Sequence, residues 1–206
     1  MGKERIKQAQ NNTERMQTYS AQLGRYKRAF RSGFYFEAMM IVYSMLEDRL
    51  KSMLYYCGVF PSRNTLNISS KVKCELKELL KAYGKSDRFA LSTIRGKILL
   101  IKSILIWGSQ VKSSDICDNK YLLSLEELLM DIDIGGVIDT LDEMADWLDY
   151  RNEIMHAAMN KNIEALYDDL DIRVDKGYHY ARFIDSQVKI MKKTNRVRKK
   201  MRMQNN

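Results

Sequence analysis

A single proline, Pro61, and ten glycines are all the strong chain breakers in 206 residues. β-Sandwiches and barrels reverse direction often and draw on glycine and proline to do it, so sparse punctuation predicts a few long helices. The breakers that are present separate stretches whose apolar residues recur every three or four positions, the spacing of one helix face. The expected fold class is all-α: a helical bundle with extended basic helices at its N- and C-terminal ends.

Residues 3–32 carry Met16, Tyr19, Leu23, Tyr26 and Phe30 as one narrow stripe on a charged helix. Gly33 interrupts it. Residues 34–57 are apolar over most of their circumference, which demands burial, and Gly58 suits a left-handed C-terminal cap. Residues 61–70 read as a loop. Further helices are expected over 71–83, from Ser86 and Asp87 to Trp107 with Gly108 as the stop, over 121–130, and over 137–159 after the Gly135-Gly136 pair. Residues 163–176 are ambiguous, and Gly177 opens a last helix that runs to about Met203. With no repeat or linker in between, the chain parses as a basic N-terminal helix (1–33), one bundle domain (34–191) and a basic C-terminal tail (192–206).

The net charge of +9 is unevenly placed: residues 1–31 carry +6, 32–114 carry +7, 115–188 carry −12 and 189–206 carry +8. Basic ends around an acidic block suit nucleic acid, and equally suit pairing between copies. Lys189, Lys192, Lys193 and Arg196 are the candidate nucleic-acid contacts in the C-terminal segment. The most apolar runs, 34–46 and 98–107, fall short of the roughly 18 residues of a membrane span, and the polar N-terminus does not read as a secretory leader. A soluble, cytoplasmic protein without a membrane partner is expected. Cys57, Cys74 and Cys117 are odd in number and widely spaced, so they are expected to be buried or half-buried reduced thiols. No ligand cluster suggests a metal, and no phosphate loop suggests a cofactor.

The segment 137–159 carries the chemistry. With Val137 at 0° and about 100° per residue, Val137, Ile138, Leu141, Met144, Ala145, Leu148, Met155 and Met159 span about −20° to 100°. Asp139, Asp142, Glu143, Asp146, Asp149 and Glu153 fall at about 120° to 240°. Asn152, at about 60°, lies inside the apolar stripe, with Arg151 and His156 at its two edges, about −40° and 100°. A buried amide needs hydrogen-bond partners, and an arginine beside it needs an anion or an acidic neighbour. Arg151 and His156 are too far apart around one straight helix to grip a single atom, so either the helix kinks or a second copy completes the cluster.

Arg151-Asn152-Glu153-Ile154-Met155-His156 resembles the signature of the HEPN superfamily: an arginine, a polar residue that is commonly asparagine, and a histidine after four to six intervening residues. The setting is similar too, near the end of an amphipathic helix late in a helical chain. The earlier segment FEAMMIVYSMLEDRL looks like the first core helix of such domains. The resemblance covers residues 34–191. It implies a homodimer with two motifs facing each other across a cleft, and a metal-independent endoribonuclease of the kind found in toxin–antitoxin and anti-phage systems. Arg151 would then bind the scissile phosphate, His156 would move the proton of the 2′-hydroxyl, and Asn152 would orient both. The products would be a 2′,3′-cyclic phosphate and a 5′-hydroxyl end, and an antitoxin or other regulatory protein would be a partner. Small HEPN toxins paired with nucleotidyltransferase antitoxins have a tyrosine two residues after the histidine; Ala158 stands there, so that kind of partner is not expected.

Imidazole exchanges protons near neutrality, and guanidinium offers a fixed fork of donors to phosphate, so the residue types suit this chemistry on their own. The alternatives are a catalytically silent HEPN-like scaffold binding a partner protein, nucleotide or RNA, and a plain RNA-binding bundle. Arg151 pairing with Asp146, Asp149 or an acid on another helix would be the structural explanation for the motif. Tyr178-His179-Tyr180, among Lys176 and Arg182, reads first as core tyrosines with a surface histidine, and second as a base-stacking patch.

Overall fold

The apolar segment around 34–57 forms α2 (Tyr35–Tyr56) and becomes the centre of the molecule, with Val42, Leu46, Leu50, Met53 and Leu54 removed from solvent. The structure is a computed structural model and describes residues 12–82, 90–110, 119–157 and 169–203. Around α2 lie α1 (Asn12–Arg31), α4 (Ile94–Gln110) and α7 (Leu170–Thr194). A second layer is made by α3 (Lys73–Ala82) and α5 (Lys120–Leu129) against α4, α6 (Ile134–Ala157) against α4 and α7, and α8 (Arg196–Lys200) against α5. The described residues contain helices and no strand, so the protein is an all-α helical bundle. None of its described helices is long and apolar enough to cross a membrane.

Helix α1 turns into α2 at Gly33 (φ 74°), and its buried side is Tyr26 and Ala29, with Leu23 and Phe30 packed beside them. Met16, at the head of the expected stripe, is 67% exposed. Gly58 closes α2 with a left-handed φ of 78°, and the Val59 amide donates back to the Leu54 carbonyl at 3.0 Å. A Cβ at Gly58 would stand 2.9 Å from Val197 of α8, so this glycine also admits the chain's C-terminal turn.

Three glycine readings need correction. Gly108 does not stop α4, which continues to Gln110; Ser86 and Asp87, the expected start, lie outside the described residues. Gly135 and Gly136 sit inside the first turn of α6, where the Asp133 carboxylate accepts from the Gly136 amide at 2.9 Å. Gly177 is in mid-α7 because α7 crosses α6 there: a Cβ would fall 2.6 Å from the ring of Trp147. That indole donates its N–H to the Arg173 carbonyl at 2.8 Å, so it has little room to move. Gly177→Ala is therefore expected to destabilise by about 2 kcal/mol, overpacking outweighing the gain in helix propensity. A urea titration with an unchanged midpoint would show that Trp147 relaxes freely.

The C-terminal segment also differs from the expectation of a helix to Met203 and a free tail. Asn195 adopts a left-handed φ of 48°, ends α7, and turns α8 back so that Val197, Arg198 and Met203 are buried. Cys57 is buried, and burial pushes its thiol up to about 12; Cys74 is exposed, contrary to expectation, and Cys117 lies outside the described residues.

Candidate functional site

The buried line of α6 rotates as the helix advances. Val137, Leu141, Met144 and Leu148 follow the expected stripe, but Trp147, Ile154 and Ala157 carry burial to the other side by the helix end. The Trp147 ring against Gly177 draws that side towards α7. As a result Asn152 is exposed, not buried as its stripe position predicts, and Met155 is only half-buried. His156 is exposed, about 7.5 Å further along the axis than Arg151.

Arg151 is half-buried and leans across onto α2. Its guanidinium lies 4.3 Å from the Tyr43 ring centre, and Nη2 donates to the Met40 sulfur at 3.2 Å. Nη1 donates to the Asn152 side-chain oxygen at 3.2 Å. The Nε–H is buried without a hydrogen-bond partner among the described residues. Met40 and Tyr43 were invisible to local spacing because they are more than a hundred residues away in the chain.

The neighbouring carboxylates are taken by other cations. Asp149 pairs with Arg95 and Asp142 with Lys102, both from α4. Glu143 accepts from the Tyr180 hydroxyl at 2.7 Å and pairs with Lys176 of α7 at 3.2 Å. Among the described residues no carboxylate pairs with Arg151, so the expected structural explanation of the motif does not describe this arginine. The arrangement leaves a positioned cation beside an exposed amide, with an imidazole one and a half turns on. Arg151 and Asn152 are together, and His156 shares their helix end.

The basic C-terminal candidates separate. Lys189 and Lys192 line a cavity between α1, α2 and α7, and Lys193 is exposed. Arg196 is committed to Asp131 at 2.8 Å, which holds that carboxyl below its usual range. Tyr178 stacks on Tyr26 at 4.4 Å, and His179 faces Asp175 at 3.3 Å, so the aromatic triplet serves packing and surface pairing. Among the described residues no three histidine, cysteine or acidic side chains are grouped to hold a metal ion. Compared with known proteins, the chain matches no family model, no curated protein and no solved structure.

Asp185 of α7 anchors the cavity floor, accepting from Arg49 at 2.6 Å and Lys189 at 2.8 Å. Burial pushes its carboxyl up, but the bonds and charges of Lys189 and Arg49 outweigh burial, and the net shift is downward. A carboxyl depressed in the folded state stabilises above its unfolded pKa and loses that contribution as pH falls through the folded value. Stability is therefore expected to decline below about pH 4. Asp185→Asn should cost about 3 kcal/mol at neutral pH and flatten that acid limb, measured by urea unfolding across pH.

Proposed function

We propose that this chain is a metal-independent endoribonuclease of HEPN type, a cytoplasmic homodimer whose two α6 motifs face a shared RNA cleft. The observation that supports it is Arg151: a half-buried guanidinium held by Tyr43, Met40 and Asn152, with no carboxylate partner among the described residues. A half-buried guanidinium that no carboxylate pairs with among the described residues favours an anion, and its fork of donors fits phosphate. The exposed His156 supplies the proton-transfer group the reaction needs.

In this reading the imidazole takes the 2′-hydroxyl proton as that oxygen attacks the adjacent phosphorus. The bond from phosphorus to the 5′-oxygen breaks, the leaving oxygen receives a proton, and a 2′,3′-cyclic phosphate and a 5′-hydroxyl end remain. Arg151 neutralises the charge that grows on the phosphoryl oxygens, and Asn152 fixes the arginine through its side-chain oxygen. A toxin or anti-phage effector held by an antitoxin or other regulatory protein is the biological role this chemistry suits. Incubation of the purified protein with RNA in excess chelator tests it. Fragments with 5′-hydroxyl ends are expected; intact RNA at high protein concentration would leave the silent scaffold as the better reading.

A further inference from the structure

Between α1, α2 and α7 lies a cavity of about 350 Å³ whose walls carry Arg15, Arg49, Arg63, Arg182, Lys189 and Lys192. Among the described residues Asp185 is the one carboxylate on those walls. We propose that this cleft is a second anion site, built to take a terminal phosphate group, whether of a free nucleotide or of an RNA chain end. It is separate from the α6 motif and stands whether or not that motif cleaves RNA.

Arg49 and Lys189 are ion-paired with aspartates, whereas the other four cations have no ion pair among the described residues. Arg63 lies over the rings of Tyr55 and Tyr56, at 4.8 and 5.0 Å, and donates to the Tyr56 hydroxyl. Arg15 donates to the Asn64 amide oxygen at 2.5 Å. Arg49 rests on the Tyr19 ring at 4.4 Å and is paired with the carboxylates of Asp48 and Asp185. Burial pulls its pKa down, the two aspartates more than reverse this, and it remains a fixed cation. At the rim, Arg182 and Lys192 are exposed and have no ion pair among the described residues.

Hydrogen-bonding capacity is also left over behind the same walls. The Tyr19 hydroxyl and the Nε–H groups of Arg49 and Arg63 are buried, and each lacks a hydrogen-bond partner among the described residues. Closed to solvent, these groups lie behind the cavity wall, and contacts to a ligand fall to the cations that line it, Arg15, Arg63, Arg182 and Lys192. A terminal phosphate brings close to two negative charges and three acceptor oxygens, where an internal diester brings one charge. Met16, Leu23 and Val188 add an apolar wall on which a sugar or base can lie. The volume is at the small end of ligand pockets, which run to roughly 300–1,000 Å³, and suits one phosphorylated unit.

The test is calorimetric titration of the full chain with AMP and with a 2′-O-methyl hexaribonucleotide, phosphorylated or unphosphorylated at its 5′ end. The 2′-O-methyl chain cannot be cut by 2′-hydroxyl attack, so binding is read apart from any cleavage. The phosphorylated hexamer is expected to bind roughly tenfold or more tightly than the hydroxyl form, and Arg182→Ala with Lys192→Ala should remove that difference. Both residues are exposed, so the fold should be unaffected, as circular dichroism will report. Tight AMP binding identifies a nucleotide ligand; binding of the phosphorylated hexamer alone identifies an RNA end. Equal affinity for the two hexamers together with no binding of AMP, or AMP binding or a phosphate preference that survives the double variant, would overturn the proposal.

Discussion

His156→Ala is expected to slow RNA cleavage by roughly 10²- to 10⁴-fold, the range a positioned proton-transfer group contributes. The side chain is exposed, so its removal leaves the core intact and the thermal midpoint close to that of the parent. Arg151→Ala is expected to fall as far, because the charge developing on the phosphoryl oxygens loses its donor fork. Arg151→Lys should recover part of the binding and little of the rate, since an ammonium on a flexible stem cannot reproduce the guanidinium plane held against Tyr43. Mixing the two inactive variants then asks where the site lies. If each site takes its arginine from one chain and its histidine from the other, random pairing restores roughly a quarter of the parent rate. If each site is built within one chain, the mixture stays inactive. Full activity in both single variants would remove α6 from the chemistry altogether.

The class of fold could be read because helix periodicity and the scarcity of breakers are local properties, and α2 and the Gly58 cap follow from them directly. What could not be read is what each glycine touches. Gly177 looks like a helix boundary in one dimension, yet it sits in mid-helix because Trp147 of α6 packs into the space its missing Cβ leaves. The same contact explains the error at Asn152. A helical wheel assumes one buried direction along the whole helix, whereas α6 buries the Leu141 side early and the Trp147–Ile154 side late. Arg151 and His156 could be picked out by their spacing. That Met40 and Tyr43 hold the arginine, or that Arg15, Arg49 and Arg63 meet Lys189 and Lys192 at one cavity, depends on packing between helices far apart in sequence. Charge runs report how many cations a segment has, not which of them the fold leaves without an acid.

Arg198→Ala is expected to cost about 4 kcal/mol, a large fraction of the stability of a single domain. Arg198 is fully buried, and its guanidinium is the clasp between the C-terminal turn and the end of α2. Nη1 donates to the carbonyls of Phe60 at 2.9 Å and Tyr55 at 3.3 Å, and Nη2 donates to the Pro61 carbonyl at 3.0 Å. The plane also lies 3.6 Å from the Tyr55 ring centre. Burial lowers its pKa, but arginine starts so far above neutrality that the charge remains. Truncation leaves the buried carbonyls of Tyr55 and Phe60 short of a donor, while the Pro61 carbonyl can turn to solvent, and it opens a cavity under Tyr55, two losses of about 1–3 kcal/mol each. Arg198→Lys keeps the charge but cannot reach three carbonyls at once, so about half the loss should persist. The damage should be directional. Lys71 also grips this turn, donating to the Met201 and Arg202 carbonyls at 3.0 and 3.1 Å, so Lys71→Ala should weaken it further. Hydrogen exchange of residues 196–203 should accelerate well before that of α2, because α8 loses its anchor while the central helix keeps its core. A urea midpoint within 1 kcal/mol of the parent, with exchange unchanged over 196–203, would show instead that α8 is held by Val197 against Gly58 and that the buried cation is not its clasp.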